Sequence, residues 1–261
     1  MADIAGKSIL ITGGGSGLGE AMARYFVAQG AHVIISGRRA DRIRAVAADI
    51  GCATVTGDVT VAADRAAMIA AALSHGGKLD VLINNAGNMY RGALTELDEA
   101  QLLGVFHSNV VSAMLLAGLA VPHLAETRGS ILFFGSSHTR RAFPGASPYA
   151  ATKAAVQTLT QVLAAELGDR SIRVNCIVPG GVLTEINVRA GLLTEAEARE
   201  RLTAMLPTSR GPACPPRRCD QAAHRPSGSS TPTGWRNRCS LPVPADGANW
   251  SCRGRPACWQ A

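Results

Sequence analysis

Tyr149 and Lys153 lie four residues apart in Ser147-Pro-Tyr-Ala-Ala-Thr-Lys153, and a tyrosine held beside a lysine can trade a proton near neutral pH. A free phenol titrates near pH ~10, so bringing it to about 7 takes roughly 4 kcal/mol of preference for the phenolate. An ammonium about 4 Å away contributes on the order of 4 kcal/mol at an effective dielectric of ~20. The spacing serves this purpose only on a helix, where residues four apart share a face. Ser147 as N-cap and Pro148 as the first helical residue predict such a helix, running through Ala, Val and Leu to Gly168. Taken alone, the pair reads more readily as two surface side chains at helical spacing, and only the rest of the chain overturns that.

A second chemistry sits near the N-terminus. Lys7-Ser-Ile-Leu-Ile11 predicts a buried strand, Thr12-Gly13-Gly14-Gly15-Ser16-Gly17-Leu18-Gly19 a turn, and the pattern to Gln29 a helix. Glycines let backbone approach a pyrophosphate, and a helix N-terminus supplies unpaired N–H groups and a positive dipole end. The glycines fall as TGxxxGxG, not as the plain GxGxxG dinucleotide fingerprint, and a ligand-free glycine turn is the alternative. The next strand, His32 to Ser36, ends in Gly37-Arg38-Arg39. A carboxylate there would bind ribose hydroxyls, whereas Gly37 leaves room and Arg38 offers a fork suited to a 2′-phosphate, so NADP(H) is favoured and NAD is possible. Arg38 and Arg39 as ordinary helix-flanking charges is the competing reading.

Among the elements that position these groups, helix 40–50 leads to strand Cys52–Thr56 and then Gly57-Asp58-Val59. Asp58 suits either an adenine amino group or the cap of the helix at about 61–75. Strand Leu79–Ile83 runs into Asn84-Asn85-Ala86-Gly87, residues that wall an adenosine pocket or brace the sheet. A long helix from Asp98 to Leu124 contains Asn109, locally unfavourable in a helix and therefore either an accident or a site residue. Strand Ser130–Phe134 runs into Gly135-Ser136-Ser137-His138, and strand Ile172–Val178 ends in Pro179-Gly180-Gly181-Val182-Leu183-Thr184. Residues Leu193 to Met205 predict a polar helix on a lid. Six strands alternating with helices predict an α/β fold, a doubly wound, Rossmann-like parallel sheet with helices on both faces. The candidate residues all follow strand C-termini, where such sheets bind ligands.

At 261 residues with 47% hydrophobic content, the chain supports one domain, 1–209, with an appendage, 210–261. No uninterrupted apolar run reaches ~18 residues and no signal pattern opens the chain, so we expect a soluble, cytoplasmic protein with no membrane partner. The net charge of +7 belongs to the end of the chain: 18 Lys/Arg face 17 Asp/Glu over 1–209, and eight Arg face Asp220 and Asp246 beyond. A nucleic-acid partner is not expected of the domain. Cys52 and Cys176 read as buried free thiols; the five later cysteines show no metal-ligand spacing, and no metal site is expected.

Together these motifs resemble the short-chain dehydrogenase/reductase family over about residues 5–209. The resemblance rests on Thr12-Gly13…Gly17-x-Gly19, Asp58, Asn84-Asn85-Ala86-Gly87, Asn109, the serine loop, Tyr149-xxx-Lys153 and Pro179-Gly180…Thr184. It implies that Tyr149 exchanges a proton with a carbonyl or secondary-alcohol oxygen, that Lys153 lowers its pKa and holds the nicotinamide ribose, and that Asn109 supports a water-linked relay. It implies a serine on the substrate oxygen, Ser136 by its thirteen-residue gap to Tyr149, with Ser137 turned into the loop. The implied cofactor site comprises Thr12, Gly13, Gly15, Ser16, Gly17, Leu18, Gly19, Gly37, Arg38, Arg39, Asp58, Val59, Asn85, Ala86, Gly87, Tyr149, Lys153, Pro179, Gly180, Val182 and Thr184, the last two on the carboxamide. A homodimer or homotetramer and a small-molecule carbonyl or alcohol substrate are also implied.

The resemblance stops near Arg210. The family continues with an apolar helix and a last buried strand; here eight Pro, eight Arg, three Trp and five Cys follow, with no Ile, Met or Phe. Such composition builds neither element. An out-of-frame translation explains it, a natural basic disordered tail being the alternative. Either way the expected assembly is impaired, and a catalytically silent or damaged dinucleotide-binding protein is the rival reading.

Overall fold

Ser8-Ile-Leu-Ile-Thr12 forms β1, and all five residues are buried. Continuous burial, without alternation, is what a parallel strand between two helical layers requires. The computed structural model describes residues 4–180 and the positions 182, 186, 188, 194, 196, 197 and 200. In it, β1 pairs in parallel with β2 (His32–Gly37) on one side and β4 (Val81–Asn84) on the other. With β3 (Ala53–Thr56), β5 (Ser130–Phe134) and β6 (Arg173–Ile177), the parallel sheet has the order β3-β2-β1-β4-β5-β6. The chain winds outward in both directions from β1 and β4, which opens a crevice beyond their C-terminal ends.

The side-chain period of two in β1 divides the core. Ile9 and Ile11 pack with Val33, Ile35 and Ile43 beneath α1 (Gly17–Ala28) and α2 (Ala40–Ile50). Leu10 faces the opposite layer, with Ile34, Leu82, Met68 from α3 (Ala62–Gly76) and Leu116 from α5 (Ser112–Thr127). Helix α6 (Ser147–Glu166) adds Val156 to this second layer. Glycines in the left-handed region, Gly51 and Gly77, end α2 and α3.

Three expectations need correction. The single helix expected from Asp98 to Leu124 is α4 (Glu99–Phe106), one π-helical turn over His107–Val111, and α5. The π turn seats Asn109 inward, 3% exposed, where its amide is bonded on all sides, so a locally poor helix former is retained by tertiary hydrogen bonds. Ser147 does not cap α6: Ala146 occupies the cap position, Ser147 begins the helix and Pro148 follows within its first turn. Cys52 and Cys176 are free thiols, half-buried rather than buried.

The continuous helical stretch Glu99–Thr127 is long and apolar enough by composition to cross a membrane, with mean hydropathy 1.7. One face of it lies on the sheet, with Leu116, Ala120 and Leu124 fully buried. Its other face exposes Leu103, Val111, Met114, Leu115 and Leu119. Among the described residues β6 pairs with β5 alone, leaving Ile177 and Val178 exposed. The chain divides into two units, Met1–Arg210 and Gly211–Ala261; the second, and the expected lid helix Leu193–Met205 apart from positions 194, 196, 197 and 200, lie outside the described residues.

Candidate active site

The turn after β1 and the first turn of α1 define one end of a cleft of about 1080 Å³. Gly13 sits at φ +69, a conformation that side chains other than glycine's rarely adopt, and its carbonyl packs on the helix. A Cβ on Gly19 would stand 2.2 Å from the Gly13 oxygen, so helix and turn meet at a distance only glycine permits. Helix α1 begins at Gly17, and the Ser16 hydroxyl makes no cap bond to it, so the first-turn N–H groups are left for an acceptor in the cleft. Gly13, Gly15, Ser16, Gly17 and Leu18 line that cleft. This is a fit to a phosphate group.

Thr12 and Gly19 do not line it. Thr12 is 1% exposed; its hydroxyl accepts from the N–H of Asn85 (3.1 Å) and Ala86 (3.0 Å) and donates to the Ile83 carbonyl (3.3 Å). The Asn85 side chain in turn donates to the carbonyls of Thr12 (2.9 Å) and Gly13 (3.2 Å). The segment after β4 is thus clamped to the turn after β1, and Asn85, Ala86 and Gly87 wall the cleft while bracing the sheet.

At the end of β2, Gly37, Arg38 and Arg39 line the cleft with Asp58 and Val59 from beyond β3. Arg38 is not a free fork: its Nη1 lies 3.6 Å from Asp58 Oδ2. Asp58 Oδ1 accepts from the backbone and hydroxyl of Thr60 (2.9 and 2.8 Å), a local turn, while Val61 takes the cap position of α3. Burial pushes the Asp58 carboxyl upward, but the Thr60 bonds and the Arg38 charge outweigh it, and the net shift is downward. Arg39 donates to Ser16 Oγ at 3.2 Å. Arg42 and Ile43 of α2 also line the cleft and were missed; their helical spacing from Arg38 and Arg39 is the signal that could have found them.

The other end gathers Ser136, Tyr149 and Lys153. Ser136 follows β5 and is 7% exposed; Tyr149 and Lys153 project from the first two turns of α6. Lys153 Nζ donates to the Phe134 carbonyl (2.8 Å) and lies 5.7 Å from the Tyr149 ring centroid. Burial pushes the lysine down to about 8, with Cys176 acting weakly against it. Burial likewise pushes the Tyr149 phenol up, a hydrogen bond with Ser136 opposing it. The expectation that Lys153 dominates the phenol's titration therefore does not hold in this structure: desolvation is the larger influence and favours the neutral form of both groups.

Asn109 lies behind the cleft. Its Oδ1 accepts from Asn88 N–H (2.7 Å), and its Nδ2 donates to the Asn88 carbonyl (2.8 Å) and Thr152 Oγ1 (3.0 Å). A Cβ on Gly87 would come within 2.9 Å of Asn109 Oδ1 and 3.9 Å of Lys153 Nζ, so the three pack together. The amide holds the loop after β4 against α6; it does not point a free group at a relay. Pro179, Gly180 and Val182 line the cleft, and Thr184 lies outside the described residues. Ser137 lines the cleft beside Ser136, and its N–H donates to the Pro179 carbonyl (3.1 Å). Arg91 and His107 also line it and were missed, since nothing in their local sequence marks them.

The family model for short chain dehydrogenases matches residues 7–192. The chain is 35% identical over 184 residues to an L-fucose dehydrogenase of Bos taurus, covering 70% of this chain and 68% of that one. It is 31% identical over 214 residues to a glucose 1-dehydrogenase of Gluconobacter oxydans, covering 79% and 80%. Among solved structures, a 3-ketoacyl-(acyl-carrier-protein) reductase from Brucella melitensis, complexed with NADH, superposes with TM-score 0.68 at 34% identity over 70% of this chain and 79% of that one. A Rossmann-like sheet with a glycine turn at one end of its cleft and a serine, a tyrosine and a lysine at the other accords with these matches, and the chain belongs to the short-chain dehydrogenase family of oxidoreductases.

Proposed function

We propose that this chain transfers a hydride between a nicotinamide cofactor and a carbonyl or secondary-alcohol carbon, with Tyr149 exchanging the proton on the substrate oxygen. The observation that carries the reading is that one cleft joins the glycine turn to Ser136, Tyr149 and Lys153. The NADH complex of the Brucella reductase supports a nicotinamide cofactor. When bound, the nicotinamide supplies the hydride donor or acceptor. The turn from Gly13 to Leu18 and the α1 N-terminus would hold its pyrophosphate, and Pro179, Gly180 and Val182 would flank the other half.

Tyr149 gives its proton to a carbonyl oxygen in reduction and takes one from an alcohol in oxidation, while Ser136 hydrogen-bonds the same oxygen. Desolvation favours neutral forms of Tyr149 and Lys153, and the hydrogen bond with Ser136 is what favours the phenolate. We infer NADP(H) over NAD(H) from the absence of a carboxylate at the end of β2 and the presence of Gly37, Arg38, Arg39 and Arg42 there. The Arg38 pairing with Asp58 tempers the preference. The exposed apolar face of α4 and α5 supports association with a second copy.

A cofactor-linked screen across ketones and secondary alcohols tests the reading; turnover with at least one substrate supports it. Cofactor binding with no turnover anywhere favours the silent alternative, which the unusual composition after Arg210 supports. Arg38→Ala is expected to raise the KM for NADPH several-fold more than that for NADH; equal changes refute the NADP(H) preference.

A further inference from the structure

His138 stands two residues after Ser136, in the single 3-10 turn Ser137–Thr139 that follows β5. Its backbone N–H donates to Ser136 Oγ at 3.3 Å, and its ring Nδ1 lies 3.1 Å from the same oxygen. The ring is fixed from two sides: it meets Tyr149 edge-on at 5.3 Å between centroids and lies against Phe143 at 4.2 Å. Nothing in the proton exchange assigned to Tyr149 uses this imidazole, yet it lines the same cleft.

A hydroxyl has one proton and two lone pairs. One lone pair of Ser136 Oγ is taken by the His138 N–H, which cannot reverse its role. If Nδ1 carries no proton, as in the neutral Nε2–H tautomer, it accepts from Ser136, and Ser136 has no proton left for the substrate oxygen. If Nδ1 carries a proton it donates to that lone pair, and the single proton of Ser136 must point into the cleft, where it suits a carbonyl oxygen.

We propose that His138 is a positioning residue that sets the direction of the Ser136 hydroxyl proton: Ser136 donates to the substrate oxygen when the imidazole is charged, and to Nδ1 when the imidazole is neutral as its Nε2–H tautomer, the alcohol's own proton being left to Tyr149. This rests on the reading of Ser136 as the residue that meets the substrate oxygen. Of the charged and titratable groups near the ring, Tyr149 from α6 meets it and the Arg91 charge from the loop after β4 acts on it, while Arg141 and Lys153 line the same cleft. Asp58, at the other end, is the only acid among the described residues lining the cleft. Burial first, and the Arg91 charge second, hold the imidazole below its usual value near 6.5. The neutral, accepting state therefore prevails at neutral pH, and the donating state is reached in mildly acidic solution.

The experiment combines imidazole NMR with kinetics on the whole chain. The His138 signals, identified by their loss in His138→Asn, are expected to titrate below pH 6.5, and Ser136→Ala is expected to shift that titration. In kinetics, kcat/KM for ketone reduction at saturating cofactor is expected to rise several-fold as pH falls through the same value. His138→Asn, whose carboxamide replaces the Nδ1 contact without titrating, is expected to keep turnover within about tenfold at neutral pH while losing that inflection. A His138 titration indifferent to Ser136→Ala, or an inflection that survives in His138→Asn, overturns the proposal. Coupled NMR titrations in a protein that turns over no substrate sustain the hydrogen-bond coupling and overturn the oxidoreductase reading instead.

Discussion

Replacing Thr12 by valine removes one oxygen and almost no volume, and the structure sets the cost. The hydroxyl accepts from two backbone N–H groups, those of Asn85 and Ala86, and donates to the Ile83 carbonyl, at a position 1% exposed. A buried donor left without a partner costs about 1–3 kcal/mol, and with two donors stranded the expected loss is about 2–4 kcal/mol, the half-buried outer side of the loop recovering some of it through water. For a folded unit of this size that is a fall in Tm of about 4–16 °C. Equilibrium urea unfolding of wild type, Thr12→Val and Thr12→Ser measures it, the serine restoring most of the stability. Because Asn85 and Ala86 wall the cleft, Thr12→Val is also expected to weaken dinucleotide binding. A valine variant within about 0.5 kcal/mol of wild type refutes the claim that this hydroxyl joins the two halves of the site.

Gly19→Ala places a methyl 2.2 Å from the Gly13 carbonyl, a backbone atom that cannot swing aside, and is expected to destabilise by about 1–3 kcal/mol and to lower dinucleotide affinity, read by calorimetry. Lys153, held down to about 8 by burial against an ordinary 10.5, binds fewer protons folded than unfolded between those values. Stability should therefore rise with pH across that window, by up to about 3 kcal/mol, and Lys153→Met should flatten the curve in denaturant titrations. Gene resequencing is expected to reveal an apolar helix and strand in another frame beyond Arg210; a verified open frame without them retires the out-of-frame explanation.

The alternation of buried strands with helices made the sheet legible, because uninterrupted apolar runs such as Ser8–Thr12 have few other uses. The glycine turn and the Tyr149–Lys153 spacing were legible too, since both rest on local geometry. What escaped depended on partners distant in sequence. Thr12 looked like a ligand contact, and its inward role rests on N–H groups more than seventy residues away. The π turn at Asn109 follows from bonds to Asn88 and Thr152 that no local propensity records. Arg38 appeared free until Asp58, from the next strand, came beside it. The titration of Tyr149 depends on burial, which spacing alone does not report.

Tyr149→Phe offers the most direct test of the central claim, because it deletes the exchangeable proton and leaves the ring between His138 and Lys153. Cofactor binding and carbonyl-dependent NADPH oxidation are measured side by side on wild type and variant. The account predicts cofactor affinity kept within about tenfold and a loss of turnover of about 10²–10⁴-fold. Turnover within about tenfold of wild type, with the fold intact, contradicts it.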